Sequence, residues 1–449
     1  MDIQSRVAAF IVLIVFALVP TMTFAQITSV ASEVVPTEYS SGSQDNIHVF
    51  CGEKGDLNAS LIATSPNNET ASFEWLKYNE ATRNFDPFLN DQSGNTTSTI
   101  SDLADGCYRV NVTGTSGVKT YTAWAFNNYV EATAEIPESD CFSFTLKGTL
   151  LSPTTFTYID LPTGETKLLN KQIEVEWLES GTTVVSRVIT SEIFDPPTSN
   201  TNYVLSVTDR FDCVARVNVE YVSIVTKASF EATVPEQNSY LTKNEAPLTV
   251  NFTNTSENGD AGKYEWFIFR DLDEIKRESE ANGGVVKDSI LIKIFTDSPE
   301  YTFENSGTYM VKLVSKKISE FHTCTDTFYM SDYIVADTSF IDAPNVFTPG
   351  DGNGENDTFV IRFFSMKTVK ISIFNRWGKV LHVWESNNVR GFYNTASDKG
   401  ANYVAESVWD GKVGGKLASP GVYYYVVEGT GRDDKRQRTS GFFHLFRGK

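Results

Sequence analysis

Three features of the sequence predict an all-β protein built from several small sandwiches. Its 449 residues include 29 glycines and 15 prolines spread along the whole length, which favours short strands broken by frequent turns. Apolar and polar residues alternate in runs such as Tyr108-Arg109-Val110-Asn111-Val112, Tyr203-Val204-Leu205-Ser206-Val207 and Tyr309-Met310-Val311-Lys312-Leu313. A period of two puts one face of a strand on a core and the other in water. Helical periodicity is nearly absent; residues 270–287 are the main exception and read equally as a long polar loop. With 41% hydrophobic and 13% aromatic residues the chain can fill several cores, and its length suggests about two to four domains.

The N-terminus predicts a compartment. Met1 to Arg6 is polar, Val7 to Val19 is unbroken and apolar, and Pro20 with Thr23-Phe24-Ala25 supplies a break and a small-residue cleavage pattern. That is the pattern of a secretory signal peptide over residues 1–25. The apolar run is shorter than the ~20 residues that span a bilayer, so the expected mature chain begins at Gln26 and has no transmembrane segment. Residues 26–44 read as a linker.

Four sandwich units follow, with expected bounds 45–136, 137–226, 227–338 and 339–449. A Glu-Trp pair marks each of the first three, at Trp75, Trp177 and Trp266, and each is followed by a Tyr that opens an alternating strand. Such a Tyr can lock a sandwich as a tyrosine corner. Five cysteines in an oxidising compartment read as disulfide candidates. Trp75 falls between Cys51 and Cys107, and Trp177 between Cys141 and Cys213, the Cys–Trp–Cys order of an immunoglobulin-like sandwich. The expected bridges are therefore Cys51–Cys107 and Cys141–Cys213, with Cys107–Cys141 as a rival. Cys324 is left over as a buried thiol, an intermolecular bridge or a reactive group.

Residues Ala246-Pro247-Leu248-Thr249-Val250-Asn251-Phe252, then Tyr264-Glu265-Trp266, then Gly307-Thr308-Tyr309 resemble a PKD domain, a resemblance that implies a β-sandwich spacer or adhesive module. Val207-Thr208-Asp209 with Cys213 resembles the repeats of bacterial gliding adhesins. In the last unit, Pro344-Asn345-Val346-Phe347-Thr348-Pro349, Asn375-Arg376-Trp377-Gly378, Trp409-Asp410-Gly411 and Gly421-Val422-Tyr423-Tyr424-Tyr425 occur in order. This series is similar to the gliding-motility-associated C-terminal domain, the type B sorting domain of type IX secretion in Bacteroidetes. The resemblance implies a β-sandwich sorting domain, export across the inner membrane by the signal peptide, and then recognition by outer-membrane components of the type IX system. An inserted stretch from Asn387 to Glu406 departs from the family pattern, as does Gly350, which stands where the family has Asn.

Read physically, Gly378, Gly411 and Gly421 are turn residues, while Trp377, Trp409 and Tyr423 to Tyr425 read as core and cross-strand pairs. Phe442, His444 and Phe446 fall on one face of a terminal strand, with Phe443 and Leu445 on the other. Asp351, Asn353, Glu355 and Asp357 alternate with small or polar residues as in a calcium loop, since a hard cation needs about six to eight oxygens. The competing reading is a polar turn whose carboxylates cap backbone amides.

Charge separates the last unit from the rest. The formal net charge is −19, which argues against nucleic acid as a partner. Residues 341–449 hold 15 Lys and Arg against 11 Asp and Glu, whereas residues 1–340 hold 23 against 46. Arg432, Lys435, Arg436 and Arg438 therefore read as a basic docking cluster for a secretion component or an anionic surface polysaccharide, against the plainer reading of a charged hairpin that blunts a sheet edge. Catalysis has little support: the four histidines are scattered, and no nucleophile elbow is present. The expected protein is a secreted or surface-exposed, non-enzymatic adhesin-like or structural component that contacts polysaccharide or other surface proteins. The alternatives are an accessory subunit of the secretion or gliding apparatus, and a carbohydrate-binding or polysaccharide-degrading protein.

Overall fold

The computed structural model describes residues 27–92, 94–115, 117–234, 244–349, 356–387 and 404–447, so the expected signal peptide lies outside the described residues. Small β-sheets account for the described chain, with one α-helix, Leu272–Ala281, and a short 3-10 turn at Pro66–Asn68. Two compact units result. The first comprises residues up to 138, 145–193 and 201–221, and the second comprises 139–144, 194–200 and 222 onward.

The first unit contains the first two sandwiches. In the first, a six-stranded sheet runs Glu33–Pro36, Asn46–Cys51, Gly117–Asn128, Gly106–Gly114, Ser72–Asn79, Asn84–Asp91, and faces a three-stranded sheet of Ile27–Thr28, Ala59–Thr64 and Thr97–Leu103. Alternation along these strands turns Phe73, Trp75, Val110 and Leu61 into one core from which solvent is excluded. The Trp75 ring N–H donates to Ser98 Oγ at 3.2 Å. Tyr108 forms the expected corner, its hydroxyl donating to the Ala104 carbonyl at 2.7 Å. The described part of the expected linker, 27–44, is not a linker: Ile27–Thr28 and Glu33–Pro36 pair with Ala59–Thr64 and Asn46–Cys51, because Ile27 and Val35 have apolar surface to bury.

The second sandwich has a four-stranded sheet, Thr183–Ser186, Glu174–Glu179, Thr201–Thr208, Val214–Tyr221, which buries Trp177. Its partner sheet is Ala132–Glu135, Ser143–Leu150 and Thr190–Phe194. Since Ala132–Glu135 pairs with Ser143–Leu150, the boundary expected at 137 lies several residues earlier.

A further apolar cluster joins these two sandwiches and corrects the disulfide assignment. Ile47, Val49, Trp124 and Phe126 from the first pack with Tyr158, Phe211 and Cys213 from the second, and Phe126 stacks on Phe156 at 4.8 Å. Cys51 is bridged to Cys213 across this contact, with Cα atoms 5.4 Å apart. The expected Cys51–Cys107 bridge is excluded by register. Both residues lie in one sheet, with strand Gly117–Asn128 between them; Cys51 pairs with Asn128 and Cys107 with Trp124. Two strand spacings and a four-residue offset put them well beyond the ~7 Å that a disulfide spans. Cys107 is the buried unpaired thiol, and burial holds its pKa well above the ordinary cysteine value.

In the second unit the third sandwich pairs Phe230–Thr233, Leu248–Asn254 and Glu300–Phe303 in one sheet and Ile290–Ile294, Glu265–Phe269, Val311–Ile318, Thr323–Tyr329 in the other, around Trp266, Phe252 and Phe230. The Tyr309 hydroxyl donates to the Asn305 carbonyl at 2.8 Å, a second corner. The helix begins where Asp271 caps it, accepting from Glu274 N at 3.1 Å, and it buries no residue. Cys141 is bridged to Cys324, with Cα atoms 5.3 Å apart. Cys141 thus pairs with the cysteine expected to be left over, because Cys213 is already taken by Cys51.

The C-terminal domain has a three-stranded sheet, Phe340–Asp342, Phe359–Phe364, Val404–Trp409, and a five-stranded sheet, Val346–Phe347, Arg436–Leu445, Gly421–Gly431, Met366–Phe374, Val380–Ser386. Phe347, Phe359, Trp409, Tyr423, Tyr425 and Phe443 fill the space between them.

Candidate functional site

Most of the sequence motifs of the C-terminal domain meet in its core. Phe347 lies 5.5 Å from Trp409 and 5.8 Å from Phe359, centroid to centroid. The segment carrying it adds a short parallel strand beside Arg436–Leu445, and backbone bonds tie it there: His444 N donates to the Asn345 carbonyl at 2.9 Å and Phe446 N to the Phe347 carbonyl at 3.0 Å. Pro344 is half-buried, Asn345 is exposed and Pro349 is buried, and Thr348 N donates to the Asn356 carbonyl at 3.0 Å. Trp409 donates its ring N–H to the Lys412 carbonyl at 2.9 Å. Asp410 accepts from Lys412 N at 3.0 Å, and that backbone donor holds its carboxyl below the usual aspartate value. Tyr423 donates to the Ser419 carbonyl at 2.6 Å, a third corner. Tyr425 is also buried, whereas Tyr424 points outward.

Trp377 is not in the core. It stands 77% exposed at the tip of the hairpin joining Met366–Phe374 to Val380–Ser386. Asn375 shapes the tip, its Oδ1 accepting from Trp377 N and Lys379 N, both at 3.0 Å. Gly378 takes φ +76°, and the Arg376 guanidinium lies 4.7 Å from the Trp377 ring centroid. A tight turn aims its side chains away from the sheet, so Trp377 has no core within reach.

Beside this tip the outer face of the five-stranded sheet is apolar. Cross-strand register places Val380, Phe374, Tyr424 and Phe442 in one row, with Val422, His444 and Val346 in the next. Phe442, Tyr424, Val422 and Phe446 are 52, 46, 38 and 52% exposed. His444 stacks on Phe446 at 5.7 Å, with Phe442 edge-on at the same distance. Further along, the rows become charged: Glu385, Lys370, Glu428 and Arg438 alternate across the strands. The face is apolar at one end and charged at the other, where Lys370 pairs with Glu385 at 3.0 Å, with Arg376, Lys379 and Arg447 exposed near the apolar end. Alternation in the terminal strand already separates Phe442, His444 and Phe446 from Phe443; the cross-strand neighbours that make them a patch depend on register and were not readable.

Of the expected basic docking cluster, Lys435, Arg436 and Arg438 are exposed and Arg432 is not. Arg432 is 7% exposed, drawn in by Glu304 as described below. Lys435 is paired with Asp433 at 3.5 Å. Arg436 and Arg438 belong to the strand, opposite Thr430 and Glu428. Lys449 lies outside the described residues, as do Asp351, Asn353 and Glu355 of the expected calcium loop; Asp357 is described, at the start of the chain leading into Phe359–Phe364. Among the described residues no three His, Cys, Asp or Glu side chains converge as metal ligands, and no helix is long and apolar enough to cross a membrane.

Fold and site together define a modular β-sandwich protein whose last domain turns an apolar sheet face outward. Residues 341–445 match the CHU_C Type IX secretion signal domain, which marks the chain for export by type IX secretion to the cell surface or beyond. No curated protein matches the chain. Among solved structures, the three N-terminal domains of the bacteriophage RB49 Highly Immunogenic Outer Capsid protein are similar at 15% identity, covering 60% of this chain and 92% of that one, with a TM-score of 0.23. The four N-terminal immunoglobulin domains of a Dscam1 isoform match at 11% identity over 92% of this chain and 99% of that one, with a TM-score of 0.22. A three-immunoglobulin-domain segment of titin matches at 10% identity over 63% and 94%, with a TM-score of 0.27.

Proposed function

We propose that the protein is a non-enzymatic, adhesin-like or structural component held outside the outer membrane of a Bacteroidetes bacterium, and that the outer face of its C-terminal domain is what the type IX outer-membrane components bind. The observation that supports this most is the coincidence, within the matched secretion signal domain, of an exposed apolar row with a protruding Arg376-Trp377 tip. Aromatic and Arg side chains at the centre of an interface carry most of its binding energy, and a contiguous exposed apolar patch marks an interaction site.

Surface shaving of intact type IX-competent cells tests the reading. The full chain is expected at the surface, and Tyr424→Glu with Phe442→Glu is expected to trap it in the periplasm in folded form. Normal display of that double variant would refute the assigned face.

A further inference from the structure

Two turns of the C-terminal domain are buried against the third sandwich, inside the second unit. The turn between Gly421–Gly431 and Arg436–Leu445 carries Arg432, whose guanidinium donates to the Glu304 carbonyl at 2.9 Å and to Glu304 Oε2 at 3.3 Å. Its main chain is held as well: Arg432 N donates to the Ser365 carbonyl at 2.8 Å, and the Arg432 carbonyl accepts from Ser306 N at 3.0 Å. Ser365 is itself fully buried, in the turn before Met366–Phe374. Its hydroxyl accepts from Ala246 N at 3.1 Å, and its N–H donates to Glu245 Oε1 at 3.2 Å. Residues 245–246 and 304–306 of the third sandwich thus grip both turns.

The junction between the two modules has no slack. The last strand of the third sandwich is Ile334–Ala336 and the first of the C-terminal domain is Phe340–Asp342. Asp337 and Asn244 exchange two bonds, Asp337 N to the Asn244 carbonyl at 2.9 Å and Asn244 N to Asp337 Oδ2 at 3.1 Å. Ser339 donates its N–H and its hydroxyl to Asp433 at 3.2 and 2.7 Å. Burial raises the Asp433 carboxyl, but the Ser339 donors, together with the Lys435 backbone N–H and charge, outweigh it and leave the group below its ordinary value. Gly431 faces Ser339 so closely that an added Cβ would stand 2.3 Å from Ser339 Cβ.

Domains joined by ordinary linkers move relative to one another. Separating these two would give up both Arg432–Glu304 bonds and several backbone bonds at once, each with a net cost that remains after water takes the partner's place. We propose that the export signal is a two-module body: the third sandwich holds the C-terminal domain in one fixed pose for its receptor, and the closed clamp shields residues 337–339 from proteolysis. The export half rests on the reading of the C-terminal domain as a type IX signal; the clamp half does not.

The test uses the full chain. Limited proteolysis by proteinase K with mass mapping is expected to cut the exposed turn at Gly283-Gly284 and spare residues 337–339. Glu304→Ala, a change in the third sandwich that leaves every residue of the C-terminal domain intact, should speed cleavage at 337–339 about tenfold and reduce surface display in a type IX-competent host. Glu304→Gln, which keeps an acceptor oxygen, should restore both. Wild-type cleavage at 337–339 as fast as at Gly283-Gly284, or unchanged cleavage in Glu304→Ala, would overturn the clamp. Faster cleavage with normal display would overturn the two-module signal. If the wild-type chain is not displayed at all, the export reading fails, while proteolysis still decides the clamp.

Discussion

Gly411→Ala tests whether two motifs distant in sequence are one packing unit. Gly411 takes φ +76°, and a Cβ built on it would lie 2.8 Å from both Cβ and Cγ of Pro349 and 3.1 Å from Phe347 Cζ. Neither neighbour can step aside, because Pro349 is buried and Phe347 is fully enclosed by Phe359, Trp409 and Phe443. The left-handed backbone costs an alanine about 1–2 kcal/mol, and forcing a methyl into a filled core adds about 1–3 kcal/mol, so the expected loss is about 3 kcal/mol. Gly414→Ala is the matched control, with φ +56° and no atom within 4 Å of the added Cβ, so only the backbone part remains. If the C-terminal domain and third sandwich unfold together as a body of about 200 residues, each kcal/mol moves the midpoint by about 2–4 °C. Calorimetry on the purified full chain should then show a fall of about 6–12 °C for Gly411→Ala and a smaller one, about 2–8 °C, for Gly414→Ala. Midpoints within about 2 °C of each other would refute the close approach.

Non-reducing mass mapping should return Cys51–Cys213 and Cys141–Cys324 peptides, with Cys107 unmodified by alkylating reagents until the protein is unfolded; a Cys51–Cys107 peptide would contradict the register of the six-stranded sheet. Burial pushes the His48 imidazole down to about 4, so the fold favours the neutral ring. The stability it contributes is complete above the unfolded value near 6.5 and is lost as the pH falls towards 4, a loss approaching about 3 kcal/mol; His48→Gln should flatten the midpoint over that window, and an unchanged pH slope would exclude His48 as its source. Trp377→Ala should leave the unfolding midpoint within about 2 °C, since an exposed side chain contributes little to the core, yet weaken surface display; a large drop in midpoint would mean the ring packs somewhere.

Legibility of the fold followed how local its cause was. Strand alternation, the buried Trp75, Trp177 and Trp266, and the corners at Tyr108 and Tyr309 were readable because period and short-range spacing determine them. The helix at Leu272–Ala281 was only half-readable: residues 270–287 fitted a helix or a long polar loop equally, and the Asp271 cap that decides between them is seen in the structure. The disulfides were not, because Cys–Trp–Cys order says nothing about register, and it is register that separates Cys51 from Cys107 by two strands. The motifs of the C-terminal domain were recognisable, but their split into core and surface was only partly so. Trp409 and Tyr423 lie on strands, where alternation speaks, whereas Trp377 lies on a turn, where it does not. Arg432 looked like a surface charge because its partner, Glu304, is more than a hundred residues away in sequence.

The Cys51–Cys213 bridge also sets how the first unit bears load. A chain tethered at a cell surface and pulled by flow carries tension along its covalent path, and this bridge offers that path a shortcut. Force entering near Cys51 passes through the sulfur pair and leaves at Cys213, 162 positions further along the chain, bypassing the residues between. Without the bridge those residues could pay out about 550 Å at roughly 3.4 Å each; with it they cannot lengthen the molecule at all. The stretch between the two cysteines therefore adds no extensible length under tension, whereas with the bridge reduced the same force could unfold and lengthen it.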